Sequence, residues 1–423
     1  MTTTALTGPG AGTAARTGQA PPSALDAGGT TDVPTPPPSR TPQLLRRLQA
    51  LVVLVVLLAG AVCYWVVADL RTDLASAPNL AQQYARLSQV QHNVDAAAEA
   101  AARSVLLGES SDGANAKAAV AALATANGLL VEAAKDRPQD AEALRGLGND
   151  LLTYSLSLGA AIGEPLAQAK PLLATANAQR DTVLNGIQSL QTGLTNEASA
   201  RPWSQTTPWA VVACLAALAA VVWVSWTVAR RSHRVLNLGL VGAGVALLLL
   251  IGVVTSAQGT AASASGSSRG TQFTKVVNLA TAVRQVDAGQ RVLSTAVLTQ
   301  TWTDSASTAW STAYKEADAA VNDSTLSSVG TAGKALVGQL SKGDWKGATS
   351  AITSSGDTAL ATASARFVAS AQQNAGKAVA AAATAPETGR ATLVFGVGLA
   401  VVLSLAGAGL GAFGIARRLQ EYR

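Results

Sequence analysis

Residues Leu48–Val67 read LQALVVLVVLLAGAVCYWVV, a run with no Lys, Arg, Asp, Glu or His. A helix needs about 20 apolar residues to cross the hydrocarbon core of a bilayer. Such a helix satisfies its own backbone polar groups where no water can reach them. Three more stretches share these properties: Trp209–Val228, Leu236–Val254 and Leu393–Ile415. A signal peptide is a poor fit to the first, which starts too far from the N-terminus and is too long for an ordinary apolar signal core.

Composition agrees. Of 423 residues, 48% are apolar and 13% are charged, where soluble domains carry about 25% charged residues. The mean hydropathy is +0.26. Lys and Arg total 31 against 25 Asp and Glu, a net +6, and basic residues never run beyond two in a row. That excludes a nucleic-acid partner as the meaning of the charge. Two His, two Cys and one Met leave little for a metal site, a Cys nucleophile or a catalytic triad.

Arginine placement predicts the orientation, since cytoplasmic flanks are enriched in Lys and Arg. Arg40, Arg46 and Arg47 precede the first span; Arg230, Arg231 and Arg234 fill the turn after the second; Arg417, Arg418 and Arg423 follow the fourth. All three ends read as cytoplasmic, in a multi-pass protein of the cell membrane with both termini inside. Trp203 and Trp209 fall at the outer end of the second span, with Trp223 and Trp226 near its inner end, as aromatic belts do.

The expected fold class is an all-α membrane protein: four transmembrane helices carrying two extracytoplasmic helical bundles, a span–bundle–span unit used twice. The boundaries read 1–43 for a cytoplasmic tail and 44–69 for the first span. A four-helix bundle follows over 70–207, the second span over 208–229 and a cytoplasmic turn over 230–235. The third span is 236–257, the second bundle 258–390, the fourth span 391–416 and the last cytoplasmic segment 417–423. The tail holds eight of the fifteen prolines, including PTPPP at Pro34–Pro38, and has too little apolar surface to fold.

In the first exported region Leu80, Tyr84, Leu87, Gln91, Val94, Ala98, Ala101 and Val105 alternate steps of four and three. Leu166, Ala169, Leu173, Ala176, Arg180, Val183, Ile187, Leu190 and Leu194 do the same, and Leu144, Leu147, Leu151, Tyr154 and Leu158 form a third stripe. Such stripes form the seams of packed antiparallel helices. Breaks at Gly108–Gly113, Lys135–Asp140 and Gly159–Pro165 predict helices near 77–107, 114–135, 139–157 and 164–200. In the second region Leu279, Val283, Val286, Gln290, Leu293 and Val297 repeat the pattern. Trp302, Trp310, Tyr314 and Val321 mark a second helix; shorter helices follow near 326–341 and 344–353, and a long one near 357–385 ends before Pro386. Shifting by about 192 residues lays Leu87 on Leu279, Val94-Asp95-Ala96 on Val286-Asp287-Ala288, and Val105-Leu106 on Val297-Leu298, as a duplication would.

No Walker loop, HExxH or CxxC occurs. The glycines of GAGLGAFG (Gly407–Gly414) lie inside the fourth span and read as small-residue helix packing, as do Gly242 and Ala246. Cys63 and Cys214 read as small apolar residues. His92 and His233 fall on opposite sides of the membrane. Gln91, Arg180 and Gln290 occupy apolar slots. An Arg facing a bundle cavity grips a carboxylate through its planar fork, but the plainer expectation is that Arg180 reaches out between helices or pairs with an acid. Asp95 and Asp287 occupy matching places and are expected on solvated faces. No catalytic, cofactor-binding or metal-ligating residue is assigned, no cofactor is expected, and the ligand-binding residues stay open.

Exported helical bundles between spans resemble the input half of chemoreceptors and sensor kinases, whose output half is expected to be absent here. The doubled plan, with QVQHNVDAAAEAAARSVLLGES, GLGNDLLTYSLSLGAAIGEPLAQAKPLLATAN and RGTQFTKVVNLATAVRQVDAGQRVLSTAVLT, is similar to the GlnX-like tandem membrane proteins of actinobacteria over about residues 44–420. The resemblance implies a partner role between an exported amino-acid-binding lipoprotein, GlnH, and the cytoplasmic Ser/Thr kinase PknG. The resulting expectation is a non-enzymatic transducer relaying an extracytoplasmic, amino-acid-linked signal to a kinase. A structural scaffold of the cell envelope is the alternative. A transporter component fits less well, because the spans lack ionisable groups.

Overall fold

A computed structural model describes residues 41–199, 203–232, 237–354, 356 and 358–421. Among them there is no strand. The helices are α1 (Thr41–Leu107), α2 (Ala114–Asp136), α3 (Ala141–Ala161), α4 (Leu166–Ser199), α5 (Trp203–Ser232), α6 (Leu238–Ser265), α7 (Thr274–Thr299), α8 (Asp304–Ala320), α9 (Ser324–Leu340), α10 (Trp345–Thr353) and α11 (Leu360–Glu421). The Pro-rich stretch up to Arg40, together with His233 and Arg234, lies outside the described residues, as do half of the turn expected at 230–235 and the last residues of the segment expected at 417–423.

Two of the expected boundaries are not breaks. α1 runs unbroken from the first apolar stretch into the helix expected to begin at residue 77, with Pro78 inside it. α11 runs from Leu360 to Glu421, past Pro386, where a helix end was expected. Proline removes one N–H and crowds the preceding turn. Each long helix is packed against neighbours on both sides of its proline, and that burial holds the helix through the local loss. α6 likewise continues through a π-helical stretch, Gly266–Phe273, into α7.

Among the described residues five helices are long and apolar enough to cross a membrane: Gln43–Leu70, Ala114–Asp136, Pro208–Arg230, Leu238–Ala264 and Ala391–Arg417. Four of them pack on one another through Val52, Val56, Cys63, Cys214, Leu247, Leu250 and Ala400. Small residues set the spacing. A Cβ on Gly411 would meet Val52 at 2.8 Å, and one on Gly407 would meet Ala246 at 3.0 Å. Gly239 and Gly414 bring the backbones of α6 and α11 together, and Asn237 both caps α6 at Gly239 N and donates to the Gly414 carbonyl at 3.2 Å. The outer faces of these helices expose Leu54, Leu58, Trp65, Trp209, Val222, Trp223, Phe395, Leu405 and Phe413.

The fifth apolar helix, Ala114–Asp136, is α2, beyond the four expected. It packs through Ala119, Ala126, Leu130 and Ala133 into a core with the outer half of α1, α3 and α4. That core includes the stripes read from the sequence: Leu87, Val94, Ala101, Leu147, Leu151, Tyr154, Leu158, Val183 and Ile187 are all buried. Gly108 and Gly163 turn the chain at its far end with φ of +62° and +90°, where a Cβ is strained. A third core joins α7–α10 to the first part of α11 around Trp310, Leu326, Leu336 and Phe367.

The two helix groups are not separate. Phe273, Val276, Ala378 and Ala382 belong to the core of the first group, and the Tyr84 and Phe273 rings meet edge to face at 5.6 Å.

Candidate functional site

The outer part of α1 lies beside α7, and α4 closes on the pair. Beside the stripe that faces its own group's core, α1 presents His92 and Asp95 toward α7. Asp95 and Asp287, expected on solvated faces, are instead 7% and 5% exposed. The reason lies in tertiary structure: the side of each helix left polar by its own group is covered by the other group.

The charges are arranged crosswise. His92 Nδ1 lies 3.0 Å from Asp287 Oδ2. Arg291 Nη2 donates to Asp95 Oδ1 at 2.6 Å. The partners advance together along both chains, so α1 and α7 run parallel here. At 1.5 Å per residue, Asp95 stands about 37 Å beyond Leu70 along the α1 axis.

Arg180 reaches this cluster from α4, and its side chain is 6% exposed. It does not extend outward; as expected it pairs with acids, though loosely. Its Nε is 3.8 Å from Asp95 Oδ1 and its Nη2 is 3.5 Å from Asp181 Oδ1, both longer than a good hydrogen bond. Arg180 Nε, Arg291 Nε and Asp95 Oδ2 have no hydrogen-bond partner among the described residues. Buried polar groups are nearly always satisfied, so such a concentration marks a site. Tyr154, fully buried nearby, donates to the Val94 carbonyl at 3.4 Å. Glu99 is held by Arg103 on the same helix.

Electrostatics follow from burial. Asp287 has its carboxyl pushed up to about 6 by desolvation, against the pull of His92. Burial lowers His92, but the Asp287 carboxylate and its hydrogen bond, with Asp95 and Glu99 beyond, leave the imidazole above its ordinary value. Asp95 is also raised by burial, although Arg291 and Arg180 draw it down. Burial and the neighbouring Arg291 lower Arg180.

A cavity of about 40 Å³ opens among these groups, lined by Asp95, Glu99, Arg180, Asp287, Gln290 and Arg291 among others. The sequence-predicted seam residues Gln290 and Arg180 therefore do converge, and Gln91, next to His92 in sequence, is buried at 8% exposure. Sequence reasoning missed Arg291 and the burial of the two aspartates; the signal available was their repetition at matching positions. A second concavity, about 740 Å³, lies between α2 and α3 on the outer side of the first group. It is bordered by the exposed Val120, Val131 and Leu152.

Cys63 and Cys214 also meet. Both are buried and reduced, with Sγ atoms 3.2 Å apart. Arg47 lies as many residues before Cys63 as Arg230 lies after Cys214, which puts these exposed arginines at one level of antiparallel helices. Arg230 stacks over Trp226 at 3.8 Å. No known family model, curated protein or solved structure matches the chain.

Proposed function

We propose that the chain is a four-span, non-enzymatic membrane signal transducer. In this reading the helices packed around Cys63, Cys214 and Leu247 lie in the bilayer and α2 does not. The two helix groups stand outside as bundles, and both termini lie in the cytoplasm. Exposed Leu54, Trp65, Phe395 and Phe413 suit lipid. Charged residues at both ends of α2, including Lys117, Glu132 and Asp136, suit water. Exposed Arg46, Arg47, Arg230 and Arg417 suit the cytoplasmic face.

The observation that carries the reading is continuity. α1 and α11 join the apolar helices to the two helix groups without a break, and the buried charge cluster clamps those groups together. A ligand or partner that changes the clamp shifts helices that already reach the other side, by the ångström-scale movements packed helices undergo. The concavity between α2 and α3 is an apolar surface for an exported solute-binding partner. A cytoplasmic Ser/Thr kinase is the receiving enzyme, in keeping with the GlnX-like resemblance.

The test uses a deletion strain complemented with the intact protein, with a form lacking residues 77–200, or with Asp287→Asn. Phosphorylation of the kinase substrate is followed as external amino acid is raised. The response is expected with the intact protein, absent without 77–200 and altered with Asp287→Asn. An unchanged response in all three strains overturns the transducer reading and favours an envelope scaffold.

A further inference from the structure

We propose that the cavity between α1, α4 and α7 is a binding site for a small monocarboxylate, held by Arg180 and Arg291. The proposal deepens the transducer reading by naming the ligand class of its clamp, and the binding itself does not depend on that reading.

Charge comes first. His92 faces Asp287, and Glu99 faces Arg103. What remains is Arg180, 6% exposed, and Arg291, 32% exposed, against the buried Asp95; Asp181, 59% exposed, meets both guanidinium groups from the solvent side at 3.5 and 3.9 Å. On the inner side two guanidinium groups therefore face one carboxylate, where charge is costly unless paired. A monoanion balances the second guanidinium; a dianion overshoots it, and a zwitterion leaves it standing.

Hydrogen bonding comes next. A guanidinium carries five N–H donors in a planar fork. Arg180 shows no hydrogen bond among the described residues, and the carboxylates of Asp181 and Asp95 stand 3.5 and 3.8 Å from it. Arg291 spends Nη2 on Asp95, while its Nη1 is 3.9 Å from Asp181. Both arginines line the same cavity, and the Nε of each has no hydrogen-bond partner among the described residues. A carboxylate is the monoanion whose two oxygens match such forks. Halide offers one acceptor point.

Size sets the limit. A cavity of about 40 Å³ exceeds the roughly 10–15 Å³ that a water requires, yet it is far smaller than the pockets that take drug-sized molecules. It admits a carboxylate with a short carbon chain, such as acetate or propionate. Leu158, Leu173 and Leu298 on its lining offer apolar contact to that chain.

The experiment uses the full chain in lipid nanodiscs, titrated calorimetrically with acetate and propionate, and with chloride, phosphate and glycine as controls. Spin labels at the cytoplasmic ends of α1 and α11 report their separation in the same samples. Saturable binding of acetate or propionate is expected, at least tenfold tighter than chloride, phosphate or glycine. Arg180→Lys, which keeps the charge and loses the fork, is expected to weaken it at least tenfold. If Arg180→Lys does not give a folded protein by circular dichroism, Arg291→Lys is read in its place with the same expectation. No saturable carboxylate binding by the unaltered protein, equal binding of chloride, or undiminished binding by a folded variant each overturns the site. Binding without a change in the label separation supports the site and overturns the relay. A loss of binding leaves the relay to be judged by the strain assay.

Discussion

Asp95 and Asp287 each take their cation from the other half of the chain: Asp95 from Arg291 on α7, Asp287 from His92 on α1. The two aspartates lie 192 residues apart in the sequence. Their roles are reciprocal, and the clamp between the helix groups is built from both halves of the chain at once.

Removing one side of this clamp strands charge in the interior. Asp95→Ala leaves Arg180 and Arg291 facing each other without their shared carboxylate. Breaking a buried pair in this way costs about 3–5 kcal/mol. Thermal unfolding of the full chain in detergent, read by circular dichroism, is expected to show the loss. The double variant Asp95→Ala/Arg291→Ala is expected to recover part of it; equal melting temperatures for Asp95→Ala and the unaltered protein would refute the clamp.

Acid should favour the folded protein. Asp287 titrates near 6 in the folded protein, above its ordinary value near 3.8, and His92 is raised as well. A raised value means that the folded state keeps a proton which the unfolded chain has released. The His92 contribution is full below about pH 6.5 and is lost as pH rises through its folded value. The Asp287 contribution grows as pH falls through 6 toward 4. Because the raised His92 value depends on an ionised Asp287, the two contributions do not add; the net gain is on the order of 1–3 kcal/mol. Melting temperature measured from pH 7.5 to 5 should climb more in the unaltered protein than in His92→Asn/Asp287→Asn. Parallel profiles would remove this pair from the pH response.

Cys63 and Cys214 offer a direct check on helix pairing. Their 3.2 Å separation predicts that copper phenanthroline joins α1 to α5 in native membranes. After cleavage at a protease site inserted at Gly113, the two fragments should stay together on a non-reducing gel and separate after reduction. Cys63→Ala should abolish the link. Fragments that separate without reductant place the helices apart.

Gly239 and Gly414 allow their helices to approach at backbone distance. Gly414→Leu would drive its Cβ into Gly239 Cα and Asn237 Oδ1, at 2.8 and 2.6 Å from the ideal position. Overpacking of this kind costs about 1–3 kcal/mol or more. The expected result is a lower melting temperature with unchanged helix content, whereas Gly409→Leu, where nothing lies within 4 Å, should be neutral.

The helices themselves were legible because each apolar stripe has the period of the element that buries it. Leu87, Val94 and Ile187 could be placed in a core from spacing alone. The helix ends at Gly108 and Gly163 were legible from local chemistry. The passage of α1 across Pro78 and of α11 across Pro386 was not, because packing supplied by distant helices outweighs a local breaker. Nor was the burial of Asp95 and Asp287, which depends on a surface contributed by the other helix group. Arg180 was read as standing in an apolar slot, yet its neighbours come from α1 and α7, and no period within α4 encodes them.

The unbroken course of α1 also fixes a phase. A helix turns about 100° per residue, so one residue inserted between Leu70 and Leu80 would swing Asp95 and His92 away from α7 while leaving Val52 and Val56 where they are. Seven inserted residues would bring the outer face back to within about 20° of its original direction, though a further 10 Å or so along the axis. The number of residues between the apolar half of the rod and its charged half is thus itself a structural parameter, one that tolerates substitution far better than insertion.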